Sequence, residues 1–149
     1  MSVRINRYSM ALVRESSKVY EVDKQIESPS DASQVIHSLL DVDSLHVENF
    51  GILTLDTKNN VIGFHILQIG SLNASVASPR NVFQAALLNN AASFIMFHNH
   101  PSGDPTPSNE DIEITNRITE IGNLMGIEAL DHIIVANGKR YQSIREYGR

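Results

Sequence analysis

The chain has 149 residues, 42% of them hydrophobic and 19% charged, a balance that fits one globular domain with a core of its own. It contains no cysteine, which excludes disulfides, thiol catalysis and thiolate-held zinc, so any metal must be held by His and carboxylate; the Pro-Cys-x-x-Cys signature of the zinc deaminases is excluded with it. The formal net charge of −5 gives no global attraction for nucleic acid, no apolar run nears the roughly 18 residues of a membrane span, and no signal-type apolar core follows the N-terminus, so the cytoplasm is the expected compartment.

Residues 1–27 read as an N-terminal extension. Met10–Val13 and Val19–Val22 are short apolar runs around a polar Arg14–Lys18 stretch, which predicts a β-hairpin over Tyr8–Val22 that serves as an edge pair or a dimer contact. In Ser28-Pro29-Ser30-Asp31, Ser30 is the candidate N-cap. Val35, Ile36, Leu39 and Leu40 recur at helical spacing, predicting a helix over Asp31–Leu40 with His37 and Ser38 on its solvated side. His46–Asp56 and Val61–Ile69 predict two strands of a long hairpin around Thr57–Asn60. Gly70–Ser78 is a loop of small and polar residues, where Asn73-Ala74-Ser75 is a chance glycosylation sequon in a cytoplasmic chain.

Ser78-Pro79 opens a helix that runs to Asn89, with Pro in its first turn. Ala91–Phe97 is a short apolar run and predicts a strand buried on both faces. Asn109–Met125 predicts a helix with Ile114, Ile118, Ile121 and Met125 on one stripe, closed by Gly126. His132–Ala136 and Arg140–Ile144 predict strands joined around Asn137-Gly138. Strand pairs and helices alternate, so the expected fold over 28–149 is a single α/β domain with a mixed β-sheet flanked by helices.

The chemistry concentrates in Phe97-His98-Asn99-His100-Pro101-Ser102-Gly103-Asp104-Pro105-Thr106-Pro107-Ser108-Asn109-Glu110-Asp111. In an extended segment residues i and i+2 point to the same side, so His98 and His100 can face one point. Asn99 between them should point away. A Pro- and Gly-rich loop can return the chain to bring Asp111 to that point. Two His and one carboxylate form the ligand set of a catalytic zinc site, with a fourth position open for water. The plainer reading is that Ser108 and Asp111 are a capping pair at a helix start, Ser108 as N-cap with an acid at N3. Asp104, in a Gly-Asp-Pro turn, and Glu110, in the first helical turn, are competing carboxylates.

His98-x-His100, seven residues, Ser108, two residues, Asp111 resembles the JAMM signature of JAB/MPN-domain metalloproteases. The surrounding segments resemble more narrowly the RadC-like proteins: Phe97–Asp104, Leu130–Val135, Leu53–Asn59 and Gly70–Asn73 all read that way. The resemblance runs from about Ser28 to the C-terminus. It implies a fold similar to that of the cytidine deaminases, with His98, His100 and Asp111 as ligands of Zn²⁺. It further implies hydrolysis of a peptide or isopeptide bond in a protein or peptide substrate. Glu48 would be the general base that moves the proton of a metal-activated water. Ser108 would donate a hydrogen bond to the tetrahedral oxyanion. Taken without the resemblance, Glu48 is a solvated strand-end acid.

Among the other histidines, His65 reads as a packed or half-exposed strand residue and His46 as lying on the strand face of Glu48. His132, after Asp131, reads as able to back up a ligand; none of the three is expected to be a ligand itself. The chain departs from the family in having Ser78-Pro79-Arg80-Asn81 where RadC-like proteins often carry His-Pro-Arg-Glu, so substrate choice is expected to differ. It is also too short for the N-terminal helical region that longer members carry and that is associated with DNA binding. Two alternatives stand beside the hydrolase. One is a DNA-repair or mobile-element accessory protein, which the family name suggests and the acidic balance opposes. The other is a metal-dependent nuclease, since an activated water can also attack a phosphodiester.

Overall fold

A computed structural model describes residues 1–20, 25–70 and 78–148. In chain order the elements are α1 (Pro29–Leu39), a 3-10 turn (Val42–Ser44), β1 (Asn49–Leu55), β2 (Val61–Ile69), α2 (Pro79–Leu88), β3 (Ser93–Asn99), α3 (Asn109–Met125), β4 (Glu128–Ala136) and β5 (Arg140–Ser143). The strands form one five-stranded sheet in the order β2-β1-β3-β4-β5. The β3–β4 pair is parallel and the other three pairs are antiparallel, which makes the expected mixed sheet. A parallel pair needs a crossover connection, and α3 supplies it.

Both faces of the sheet are covered. On one face Val82, Phe83 and Ala86 of α2 and Ile114 and Ile118 of α3 pack on Phe50, Ile52, Phe94 and Met96. On the other, Val35 and Ile36 of α1 pack with Leu53, Leu55, Ile95, Phe97, Ile133 and Val135. Alternation along β3 assigns Phe94, Met96 and His98 to the first face and Ile95, Phe97 and Asn99 to the second. Every residue of β3 is buried, which explains the unbroken apolar run Phe94–Phe97 between Ser93 and the polar pair His98 and Asn99. Gly51 of β1 is required by close approach: a Cβ there would run into the carbonyl of His65 and come within 2.6 Å of the Phe97 ring, which stacks on Phe64.

The structure corrects several boundaries. Ser28, not Ser30, caps α1, its side chain accepting from the Asp31 amide at 3.2 Å; Pro29 fits the first turn, so the helix starts there. His37 is half-buried rather than solvated, with Nε2 3.2 Å from the carbonyl of Arg140. β1 begins at Asn49 rather than His46, β4 begins at Glu128 rather than His132, and β3 continues past Phe97 through His98 and Asn99. Residues 8–20 form no strand and are exposed, so the expected hairpin is absent there; Arg14–Lys18 has no Gly, Asn or Asp to set a turn, and an uncovered pair of strands is marginal in water. Glu21 and Val22 lie outside the described residues, as does 71–77 with its sequon. Among the described residues no helix is long and apolar enough to cross a membrane.

Candidate metal centre

The C-terminal end of β3, before the α3 crossover, is where an α/β sheet commonly offers a ligand-binding crevice. His98 is the last but one residue of β3 and is fully buried. His100 stays extended beside β4 because its amide donates to the Val135 carbonyl at 2.9 Å. The two imidazoles therefore remain on one side, as their spacing predicts. The chain then reverses through Gly103, at φ 89°, whose amide donates to the His100 carbonyl at 3.1 Å. Ser108 caps α3 on the way back. Its Oγ accepts from the Asp111 amide at 3.1 Å, and its own amide donates to Asp111 Oδ2 at 2.8 Å.

That capping box turns the Asp111 carboxylate to the two histidines. His98 Nε2 and His100 Nε2 are 2.9 Å apart. Asp111 Oδ1 is 3.2 Å from the first and Oδ2 3.3 Å from the second. The capping reading and the ligand reading are thus both realised by one side chain, since accepting an amide hydrogen leaves carboxylate lone pairs for a cation. Among the described residues His98, His100 and Asp111 form the group that could hold a metal ion. Asp104 does not join it: its carboxylate accepts from Thr106, at 3.0 Å from the amide and 2.7 Å from the hydroxyl. Glu110 is exposed on the first turn of α3.

Asp104 serves instead through its backbone. Its carbonyl accepts from His100 Nδ1 at 2.9 Å, which leaves the lone pair of neutral His100 on Nε2. Lone pairs and a carboxylate gathered at such distances repel unless a cation sits among them. Ligands at the 2.0–2.1 Å of zinc–nitrogen and zinc–oxygen bonds stand roughly 3.3–3.4 Å apart in a tetrahedron; the two histidine–carboxylate separations match this, and the 2.9 Å between the two nitrogens is shorter.

The electrostatics agree. Burial opposes charge on Asp111, but the hydrogen bond from His100 and the closeness of His98 outweigh it and hold the carboxyl far below the usual carboxylate range. Burial likewise lowers the pKa of His100, and the Asp111 hydrogen bond, the Asp104 carbonyl and the charges of Asp111 and Glu48 more than reverse it, so the net shift is upward.

Glu48 precedes β1. The antiparallel register pairs Phe50 with His98; continued by two residues it brings Glu48 level with His100, and residues directly opposite share a face. Asn99, on the opposite face, points away from the histidines, and its amide holds the segment that carries Glu48. Its Oδ1 accepts from the Asn49 amide at 2.7 Å and its Nδ2 donates to the Val47 carbonyl at 3.0 Å.

His132 touches His98, one of the three candidate ligands. It is fully buried, with Nε2 2.7 Å from His98 Nδ1, and burial above all drives its pKa well below the ordinary value. Its other nitrogen lies 2.6 Å from the hydroxyl of Thr115, a residue that sequence reasoning did not single out. The available signal was spacing: Thr115 stands four residues after Asp111 and so shares its helix face. His65 is half-buried and bonds Asn89 at 2.8 Å, and His46 is exposed.

Residues 26–149 match the RadC-like JAB domain. The chain is 46% identical over 143 residues to the UPF0758 protein YsxA of Bacillus subtilis, covering 93% of this chain and 61% of that protein. It is 50% identical over 123 residues to a UPF0758 protein of Bacillus velezensis, 83% of this chain and 52% of that one. It is 46% identical over 130 residues to a UPF0758 protein of Methanosarcina mazei, 87% of this chain and 56% of that one. The chain thus spans little more than half the length of the relatives it matches. It belongs to the RadC-like JAB domain family.

Proposed function

We propose that this domain is a zinc-dependent hydrolase of amide bonds, with a peptide or isopeptide as substrate. The observation that carries the reading is the convergence of His98 Nε2, His100 Nε2 and the Asp111 carboxylate. Glu48 stands level with that group, and its charge is felt by His100. Imidazole and carboxylate together suit zinc, which with three protein ligands keeps a position for water or substrate. When bound, the ion would supply Lewis acidity toward a water and a substrate carbonyl.

The rest falls to the chain's own residues. Glu48 accepts the proton of the attacking water and returns it to the leaving amine. The hydroxyl of Ser108 uses a lone pair toward the Asp111 amide, and its hydrogen remains to be donated to the oxygen that gains charge in the tetrahedral intermediate. Asp111 holds charge at the centre, and Asp104, through its carbonyl, holds the His100 ring in place.

Elemental analysis of the untagged protein, wild type beside His100→Ala, tests the site. About one zinc per chain, as a single three-ligand centre requires, lost in His100→Ala, is the expected result. Glu48→Gln should keep the zinc and lose hydrolysis of peptide or isopeptide substrates. Absence of metal from the wild type, or hydrolysis that survives Glu48→Gln, would defeat the reading.

A further inference from the structure

His132 lies behind the metal centre, bonded to His98 on one side and to Thr115 on the other. Following the hydrogens along this row fixes where each one sits. The carbonyl of Asp111 has no hydrogen to give, so its 2.7 Å contact with Thr115 Oγ1 uses the hydroxyl hydrogen. The Thr115 oxygen is then an acceptor toward His132 Nδ1 at 2.6 Å, and that nitrogen carries the hydrogen. His132 is fully buried, between a hydroxyl and an imidazole, where an unpaired cation would be costly. As a neutral ring protonated on Nδ1, it has a lone pair on Nε2. His98 Nδ1, 2.7 Å from that lone pair, must be the donor. The lone pair of His98 therefore falls on Nε2, the atom that faces His100 and Asp111.

We infer that Thr115 and His132 are positioning residues that dictate the tautomer of His98, keeping its Nε2 free of hydrogen and available to a cation. The two imidazoles alone leave the choice open, and the Asp111 carboxylate, 3.2 Å from His98 Nε2, would by itself favour a hydrogen on that atom. With His132 donating from Nε2, His98 would accept on Nδ1 and carry its own hydrogen on Nε2, in the ligand position. The hydroxyl of Thr115, tied to the carbonyl four residues back in its own helix, removes that arrangement. The purpose given to the tautomer rests on the metal reading above, but the tautomer itself is a property of the metal-free protein.

Two measurements test it together. The first is a two-bond ¹H–¹⁵N correlation spectrum of the metal-free, ¹⁵N-labelled protein, in which His98 should give the pattern of a pure Nδ1–H tautomer. The second is Zn²⁺ affinity by chelator competition. Thr115→Val removes the hydroxyl at nearly constant shape. It should lose the single His98 tautomer and bind Zn²⁺ about 10- to 100-fold more weakly, the range found when a partner of a ligating histidine is removed. Thr115→Ser keeps the hydroxyl and should restore both. A pure Nε2–H pattern for His98 in the wild type overturns the inference. So does a Thr115→Val protein with wild-type tautomer and wild-type affinity. A wild type that takes up no Zn²⁺ defeats the metal reading alone, and the His98 pattern then decides the relay.

Discussion

Asn99 grips Asn49 across the β1–β3 pair, its Oδ1 accepting from the Asn49 amide at 2.7 Å, while its Nδ2 donates to the Val47 carbonyl at 3.0 Å. One buried side chain thereby pins the peptide groups on both sides of Glu48. β3 so contributes His98 on one face and, from Asn99 between His98 and His100, the clamp that sets the approach of the proposed base.

Asn99→Ala should therefore separate metal binding from catalysis. It orphans two backbone groups, at roughly 1–3 kcal/mol for each one left buried, which urea denaturation would register. Zinc content should stay near wild type, because His98 and His100 are held by β3 and by the Val135 carbonyl. Hydrolysis should fall with Glu48 displaced. A variant that loses zinc and keeps its stability would contradict this division of roles.

Ser108 and Asp111 share the capping box and can also be separated. Ser108→Ala removes the acceptor for the Asp111 amide, at about 0.5–2 kcal/mol for a lost N-cap. Zinc should be retained, since no ligand is lost. Turnover should drop on the order of 10²–10³-fold if the hydroxyl serves the oxyanion. Asp111→Asn can still accept from the Ser108 amide, yet removes the carboxylate and should release the zinc. Paired melts and elemental analysis of the two variants would show opposite losses.

The fold was legible where pattern and burial agree. β2 and α3 carry the bounds expected from a hairpin around Thr57–Asn60 and from a Ser108 cap with a Gly126 stop at φ 71°. That His98 and His100 face one point was legible because residues i and i+2 of an extended segment share a side. The rest depended on pairing. Asn99 has no value in the sequence until the register Phe50 to His98 is known, and Thr115, though it shares a helix face with Asp111, gains its partner only when β4 lies beside α3 and delivers His132. The N-terminal runs looked like a hairpin by composition, but no layer covers residues 8–20 and no turn residue closes them.

Gly51 offers a test of the packing beneath the site. Any side chain there meets the His65 carbonyl and the Phe97 ring, and neither can move far, since His65 is paired within the hairpin and Phe97 is fully buried. Gly51→Ala should destabilise by about 1–3 kcal/mol, the usual range of core overpacking, or more. Denaturation midpoints would measure it. A neutral effect would mean that β1 and β2 can separate there at no cost.

The response to pH should change sign when zinc binds. In the metal-free protein the pKa of His100 lies above its ordinary 6.5, because burial lowers it less than the Asp111 hydrogen bond, the Asp104 carbonyl and the nearby carboxylates raise it. A raised folded pKa gives stability that is fully present below the unfolded value and lost as pH rises through the folded one. His132 acts in the other window. Burial depresses its pKa well below 6.5, so its contribution is present above that value and lost as pH falls toward the folded one. For these two groups metal-free stability peaks near 6.5. Zinc must replace the His100 proton, and the loaded protein then has no such loss on the alkaline side. The zinc-induced rise in Tm should therefore grow as pH is stepped from about 6 to 8, the range in which histidines titrate. Melts in chelator and in excess zinc at each pH would measure it. A shift that stays flat or shrinks would show that zinc displaces no proton from His100.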